Sequence, residues 1–266
     1  MKHALKCSET VTRLVLPYKD IFTTVYVLQA PEGIVVFDTA TTVSDMEDHL
    51  LPLLEELGID GQQVRAIVIS HNHRDHAGGL ERLLQALPHG KVYSRCPRLQ
   101  AQFPERVHGP EDGELLLDAY RFVTIPGHTL DSMALLELKS NTLITGDCLQ
   151  LYGIYGSGEW GANITFPAEH LQALKKVREL EPEAIYCAHD YHPCGWKAKG
   201  REEIGRMLDA CAEPLLQLRD LICANPALDD TAIRDRYQAS AHLPKVPLKV
   251  VAALRKALAE GAIVDA

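Results

Sequence analysis

A cluster of metal-capable side chains directly after a buried strand constrains the fold of this chain more than any other feature. The apolar run Ala66–Ile69 is typical of a strand buried on both faces, and the sequence Ser-His-Asn-His-Arg-Asp-His-Ala-Gly-Gly follows it at 70–79. Four side chains that can bind metals fall within six residues: His71, His73, Asp75 and His76. A strand-to-helix loop of this kind can hold one cation between the first two histidines and a second at the aspartate and the last histidine.

Three further ligand-type residues follow short apolar strands in the same manner. His128 lies in Pro-Gly-His-Thr, Asp147 in Thr-Gly-Asp-Cys, and His189 in Ala-His-Asp-Tyr. Ligands at the ends of separate strands converge on one edge of a sheet, where loop backbone is free to position them. With the first cluster they make seven ligands, enough for two cations with three ligands each and one bridging carboxylate. The pattern therefore predicts a two-metal centre.

The remaining hydrophobic periodicity predicts an α/β chain. Strands are indicated at 10–16, 23–28, 34–37, 66–69, 91–94, 120–125, 133–138, 142–145 and 184–187, and helices at 44–57, 79–87 and 167–180. Ser44, with Glu47 three residues later, is predicted to be the N-cap of the first helix, which Gly58 ends. The histidines without such strand-end motifs, His170 among them, are expected to be mostly exposed.

From about Lys199 the pattern changes to helices. Apolar residues follow helical spacing over 204–218 and again over 248–258, where Gly261 closes the second helix, and Pro214 is expected to mark a kink or boundary. We therefore predict a metal-binding catalytic domain over residues 1–198 and a C-terminal helical region over 199–266. This helical region is expected either to cap the substrate pocket or to form a homodimer surface.

Charge and composition narrow the range of partners. The net charge is −9, from 36 acidic and 27 basic residues, and no cluster of lysines and arginines offers a surface for nucleic acid. No apolar run approaches the ~18 residues of a membrane helix, and the N-terminus lacks the apolar core of a signal peptide. The seven scattered cysteines contain no Cys-x-x-Cys pair and are typical of reduced thiols. We predict a cytoplasmic protein that acts on a small molecule.

The motif order resembles that of the metallo-β-lactamase superfamily over about residues 10–192. The resemblance implies an αββα sandwich with a C-terminal helical appendage. It implies one metal held by His71, His73 and His128, a second held by Asp75, His76 and His189, and Asp147 bridging the two. Asp38, at the end of the strand 34–37, matches an early aspartate that orients the ligand histidines. Its alternative role is that of an ordinary turn residue that ends a strand.

Within that superfamily, the complete seven-ligand set resembles glyoxalase II and acyl-homoserine lactonase enzymes. Classical β-lactamases usually have a cysteine at the bridging position, here Asp147, and flavodiiron oxidoreductases have a glutamate at the position of His73. The resemblance implies a hydrolase with two divalent ions, zinc first and manganese or iron as alternatives. A hydroxide bridging these ions would attack a small ester, thioester or lactone, with Asp75 orienting it and Asp147 joining the metals.

Three alternatives remain open. The tract Ala188-His189-Asp190-Tyr191-His192 resembles persulfide dioxygenases, which implies a single iron held by His71, His128 and Asp147. A phosphodiesterase would use the same metals, although the sequence offers no basic groove for a polynucleotide. The third alternative is a metal-binding protein without catalytic activity.

The segment 151–166 is predicted to form part of the substrate pocket. It follows the bridging Asp147, and its glycines allow the backbone to bend close to a ligand. Its aromatic residues Tyr152, Tyr155 and Trp160 combine apolar rings with a polar tip, as does Tyr191 further along the chain. We expect these four to line the pocket; the alternative is that the rings of the segment simply anchor a loop.

Overall fold

The computed structural model describes residues 4–18, 21–149, 164–191, 194–241 and 246–263. The chain divides into two compact units. The first comprises Met1–Thr124 and Met133–Gly146, and the second comprises Ile125–Ser132 and Asp147–Ala266. The division into domains 1–198 and 199–266 stays a prediction.

The first unit contains a seven-stranded sheet whose strands follow chain order. Neighbouring strands pair antiparallel from the first to the fourth strand and parallel from the fourth to the seventh. The parallel half needs helical crossovers, because parallel strands cannot be joined by tight hairpins. The strands are β1 (Ala4–Lys6), β2 (Val11–Tyr18), β3 (Ile21–Ala30), β4 (Gly33–Phe37), β5 (Val64–Val68), β6 (Lys91–Tyr93) and β7 (Val107–His108).

The crossover after β4 corrects one prediction. The N-cap is Thr42, not Ser44: its Oγ1 accepts from Asp45 N at 3.2 Å, and Asp45 Oδ2 accepts from Thr42 N at 2.8 Å. The sequence contains two overlapping capping boxes, and the upstream one is used. The helical segment comprises α1 (Val43–Asp45), a π-helical turn (Met46–Leu50) and α2 (Leu51–Glu56), and Gly58 ends it at φ 68° as predicted.

The core of the first unit lies between the seven-stranded sheet and the helices that cross it. Val36 and Ile67 of the sheet are fully buried with Leu50 and Leu83 of the helical segments. Each buried aliphatic side chain of this kind contributes roughly 1.5–3 kcal/mol through loss of water contact. The other helices of this unit are α3 (Arg74–Ala77), α4 (Leu80–Ala86) and α5 (Pro97–Gln102), with a 3₁₀ turn at Gly61–Gln63.

Four antiparallel strands complete the first unit and pack on the seven-stranded sheet. They are β8 (Leu115–Leu116), β9 (Tyr120–Thr124), β10 (Met133–Glu137) and β11 (Thr142–Ile144). Tyr120 Oη donates to Gln29 O at 2.7 Å, and the rings of Tyr93 and Phe122 lie 5.3 Å apart. The predicted strands at 120–125, 133–138 and 142–145 are confirmed to within one residue.

The second unit combines a β-hairpin with helices. It contains α6 (Pro167–Glu179), β12 (Ala184–Tyr191), β13 (Gly195–Lys199), α7 (Gly200–Ala224), α8 (Asp230–Ala241) and α9 (Leu248–Ala259). Strand β12 extends beyond the predicted 184–187 because it pairs antiparallel with β13, which the sequence did not indicate. Within the described part of the chain, no helix is long and apolar enough to span a membrane.

The C-terminal helices form their own hydrophobic core. Buried side chains of α7, α8 and α9, such as Leu218, Tyr237 and Leu254, pack together and against Ile164. Pro214 is not a boundary: it is buried inside α7, which continues to Ala224. Proline removes one helical hydrogen bond, and burial of the flanking apolar residues outweighs that cost. Gly261 follows α9 at φ 68°, as expected of a helix-ending glycine.

Candidate metal centre

The first ligand cluster lies where β5 gives way to α3. The end of β5 is held by its parallel neighbour, since Ile69 N donates to Tyr93 O at 2.9 Å. His71 and His73 occupy the loop that follows, and Asp75 and His76 lie in the first turn of α3. His71 and His76 are fully buried and Asp75 is 6% exposed. The first unit thus brings all four predicted ligands of the cluster together.

The imidazoles in this loop are too close for all of them to carry charge. His71 Nε2 and His73 Nδ1 lie 3.0 Å apart, and the ring centroids of His71 and His76 are 4.3 Å apart. Positive charges at this spacing repel strongly in a buried environment. This spacing disfavours protonation of neighbouring rings, and the neutral imidazole is the form that binds a metal ion.

Asp38 supports two of these histidines on their Nδ1 side, His76 directly and His71 through Ser70. Its Oδ1 accepts from Ser70 N at 2.7 Å, and its Oδ2 accepts from Ser70 Oγ and lies 2.8 Å from His76 Nδ1. Ser70 Oγ in turn lies 3.0 Å from His71 Nδ1. Because each Nδ1 faces an acceptor, these contacts favour the tautomer with the proton on Nδ1 and the lone pair on Nε2. This is the contact expected of an aspartate that orients ligand histidines.

The electrostatics of Asp38 follow from its complete burial. Burial raises its pKa, while the adjacent His76 and the two hydrogen bonds from Ser70 act in the opposite direction. The residue also adopts φ 66°, a left-handed conformation that Asp and Asn tolerate better than most residues. Asp38 is therefore placed by a sharp turn directly after β4, where its carboxylate reaches Ser70 and His76.

The second unit brings together the other three predicted ligands. His128 Nε2 lies 3.7 Å from Asp147 Oδ2, and His189 Nε2 lies 3.1 Å from Asp147 Oδ1. The three residues are between 2% and 5% exposed. Each carboxylate oxygen of Asp147 thus faces a different imidazole, so this carboxylate lies beside both of the other candidate ligands.

Two glycines allow the close backbone approaches around these ligands. Gly127 precedes His128 at φ 146°, and a Cβ there would lie 2.6 Å from His170 Cα. Gly146 precedes Asp147 at φ 57°, and a Cβ there would lie 2.6 Å from Ser70 Cβ. Real Cβ atoms do not tolerate such distances, and both φ values favour glycine. The Gly-His and Gly-Asp pairs of the motifs therefore have a steric origin.

His170 is an exception to the expectation that the histidines without strand-end motifs are mostly exposed. His170 lies on α6 and is fully buried. Its pKa is lowered to about 4, mainly by burial and to a smaller extent by His128, while a backbone hydrogen bond at Cys211 partly opposes the shift. Its position against Gly127 comes from the folding of α6 onto the turn that carries His128, where Phe166 N donates to Gly127 O at 2.8 Å. A buried neutral ring behind a ligand turn has no local signature in the sequence.

Three of the four predicted substrate residues, Tyr152, Tyr155 and Trp160, lie outside the described residues. The backbone of Tyr191 ends β12, and its side chain also lies outside the description. Their assignment to the substrate pocket stays a prediction.

Comparison with known proteins agrees with this geometry. Residues 18–95, which contain Asp38 and the His71–His76 cluster, match the model of the metallo-beta-lactamase superfamily. A metallo-beta-lactamase family protein from Thermus thermophilus superposes with a TM-score of 0.62 at 19% identity, covering 97% of this chain and 96% of that one. The chain is thus similar to metallo-β-lactamase proteins, in sequence over residues 18–95 and in fold over nearly its whole length. The predicted αββα sandwich class is confirmed by this likeness.

Two curated relatives of this chain carry the same name. A protein of Vibrio campbellii named hydroxyacylglutathione hydrolase is 30% identical over 144 residues, 53% of each chain. One of the same name from Synechococcus sp. (strain JA-2-3B'a(2-13)) is 31% identical over 173 residues, 63% of each chain. The match therefore spans between about half and two thirds of the length of these relatives, and it supports the predicted likeness to glyoxalase II.

Proposed function

We propose that this protein is a metal-dependent hydrolase of small esters, thioesters or lactones, and that a thioester is its natural substrate. The observation that carries the proposal is the complete set of seven nitrogen and oxygen ligands, with Asp147 facing one imidazole through each of its oxygens. The names of the two relatives, both hydroxyacylglutathione hydrolases, favour thioesters over the other two classes.

We assign the ligands to two divalent ions. His71, His73 and His128 would hold one, Asp75, His76 and His189 the other, and Asp147 would bridge. The 3.0 Å between His71 Nε2 and His73 Nδ1 supports the first group, since it is close to the spacing of two nitrogens bound to one tetrahedral ion. The 3.4 Å between His76 Nε2 and Asp75 Oδ2 supports the second. Five imidazoles and two carboxylates favour zinc, with manganese or iron as alternatives.

When bound, two such ions supply Lewis acidity, which lowers the pKa of water toward about 7 and polarises a carbonyl group. Asp75 would orient the attacking water by accepting a hydrogen bond from it at a carboxylate oxygen. Its backbone oxygen accepts from Thr23 Oγ1 at 2.9 Å, which fixes the turn that carries it. Asp38 keeps the His76 proton on Nδ1 and so keeps Nε2 available as a ligand atom.

Metal analysis with a matched pair of variants tests the assignment. We expect close to two divalent ions per chain in the purified protein and a loss of about one ion in His128→Ala. His89 is exposed and bears no predicted ligand role, so His89→Ala is the control and should keep both ions. A single iron per chain, with oxygen uptake that depends on a persulfide, would instead assign the protein to the dioxygenases.

The C-terminal helices would serve as a cap or as a homodimer surface. Leu248 at the start of α9 is 40% exposed, which leaves an apolar side chain for either role. Sedimentation velocity of the full chain decides between the two roles. A dimer would support the homodimer surface, and a monomer would favour the role as a cap of the pocket.

A further inference from the structure

An arginine side chain lies directly against the first ligand loop. Arg98 Nη2 donates to Asn72 Oδ1 at 2.9 Å, and Asn72 is the residue between His71 and His73. The guanidinium is exposed to solvent, and in the part of the chain that the structure describes no carboxylate lies within ion-pair distance of it.

The position of Arg98 follows from the sheet. β5 and β6 are parallel neighbours, so the segments after them emerge at the same edge. Arg98 follows β6 by five residues, and α5 is held to the strand end by Gln100, whose Nε2 donates to Ser94 O at 2.8 Å. Ser94 N in turn donates to His108 O at 2.9 Å on the next strand. The arginine is thus anchored at both its backbone and its side chain.

The charge environment sets Arg98 apart from several other arginines of the chain. Arg82 is paired with Glu47 at 2.8 Å, Arg178 with Asp209 at 2.6 Å and Arg255 with Asp230 at 2.7 Å. The net charge of −9 repels an anionic ligand at long range, so an anion needs a local cation to be held near the ligand loop. A guanidinium suits this task because its forked N–H donors match both oxygens of a carboxylate.

We infer that Arg98 binds a carboxylate group of the substrate and so selects acidic substrates, with Asn72 holding the guanidinium in place. Its role toward a substrate rests on the proposed function. Recognition of the carboxylate itself does not require hydrolysis, and it is therefore testable by binding alone.

The test compares two unreactive thioethers that differ only in charge, 3-(benzylthio)propanoate and 3-(benzylthio)propanamide. Their Kd values are measured by calorimetry on zinc-loaded full-length protein. A bound metal also attracts a carboxylate, but it does so equally in wild type and variant, so the ratio of the two Kd values isolates the arginine. We expect Arg98→Gln to reduce the preference for the carboxylate about two- to fivefold, the range typical of one solvent-exposed charged contact. Arg98→Lys should keep part of the preference.

Arg106 provides the control. It is partly exposed, also donates to a neutral oxygen, Pro88 O at 3.2 Å, and lies near the opposite end of β6. Arg106→Gln should keep the wild-type preference. An unchanged preference in Arg98→Gln overturns the inference. A parallel loss of zinc and of amide binding in Arg98→Gln also overturns it, since that result would mean that Arg98 only supports the ligand loop. A protein that hydrolyses no ester or thioester, yet shows the expected change in Kd ratio, would refute the proposed function and leave the role of Arg98 intact.

Discussion

Replacing Asp38 by asparagine tests whether the hydrogen bonds of this carboxylate orient the candidate ligand histidines and so set the metal affinity. Asparagine preserves shape and tolerates the φ of 66° at this position, so the backbone should be unchanged. The carboxylate accepts from Ser70 N, Ser70 Oγ and His76 Nδ1, at distances between 2.7 and 2.8 Å. An amide has one acceptor oxygen, so its NH₂ group must face either Ser70 N or the pair formed by Ser70 Oγ and His76.

The magnitude follows from that mismatch. If the amide oxygen stays on Ser70 N, the NH₂ group meets His76 Nδ1, and the ring must move its proton to Nε2. That nitrogen then no longer offers a lone pair, and metal affinity should fall about 10–100-fold, as for loss of other supporting contacts. A buried donor left without an acceptor should also lower the free energy of unfolding of the metal-free protein by about 1–3 kcal/mol.

Competition with a chromophoric zinc chelator measures the affinity, and urea unfolding of the metal-free protein measures the stability. Asp112→Asn is the control, since Asp112 Oδ1 also accepts two hydrogen bonds, from Thr124 N at 2.8 Å and Thr124 Oγ1 at 3.0 Å, and the residue belongs to none of the ligand motifs. Zinc affinity of Asp38→Asn within twofold of wild type would refute the reasoning.

Three other changes give further expected outcomes. Asp75→Asn should reduce the turnover of any accepted ester or thioester at least ~10²-fold, and unchanged turnover at full metal content would remove Asp75 from the chemistry. Gly127→Ala should lower the free energy of unfolding, measured in urea, by at least ~2 kcal/mol, because Gly127 has a φ of 146° and lies against His170. Gly205→Ala is the control, since an added Cβ there meets nothing, and it should be neutral or stabilising. The pKa of His170 is about 4 in the folded protein and about 6.5 in the unfolded chain, so the unfolded state takes up the proton first and stability is lost as pH falls between these values. The loss should approach about 3 kcal/mol at pH 4 and be absent in His170→Gln; equal pH dependence of the two proteins would contradict the assigned burial.

The sequence alone was sufficient for features whose cause is local. The buried strand β5 and the ligand cluster after it are contiguous, so residue type and spacing predict both the strand and the side chains presented at its end. The same reasoning predicted His128, Asp147 and His189 as candidate ligands, because each follows a short apolar strand and two of them follow a glycine that a close backbone approach requires.

Tertiary structure decided the features that depend on partners distant in the chain. Asp38 meets Ser70 and His76 across 32 and 38 residues, and Arg98 meets Asn72 across 26, distances over which hydrophobic periodicity carries no information. His170 is buried because α6 folds against the turn at Gly127, although nothing in its own helix distinguishes it from an exposed histidine. Pro214 stays helical because packing around α7 outweighs the local preference of proline. Local residue chemistry thus specified the candidate ligands, and only the long-range packing specified which side chains support them.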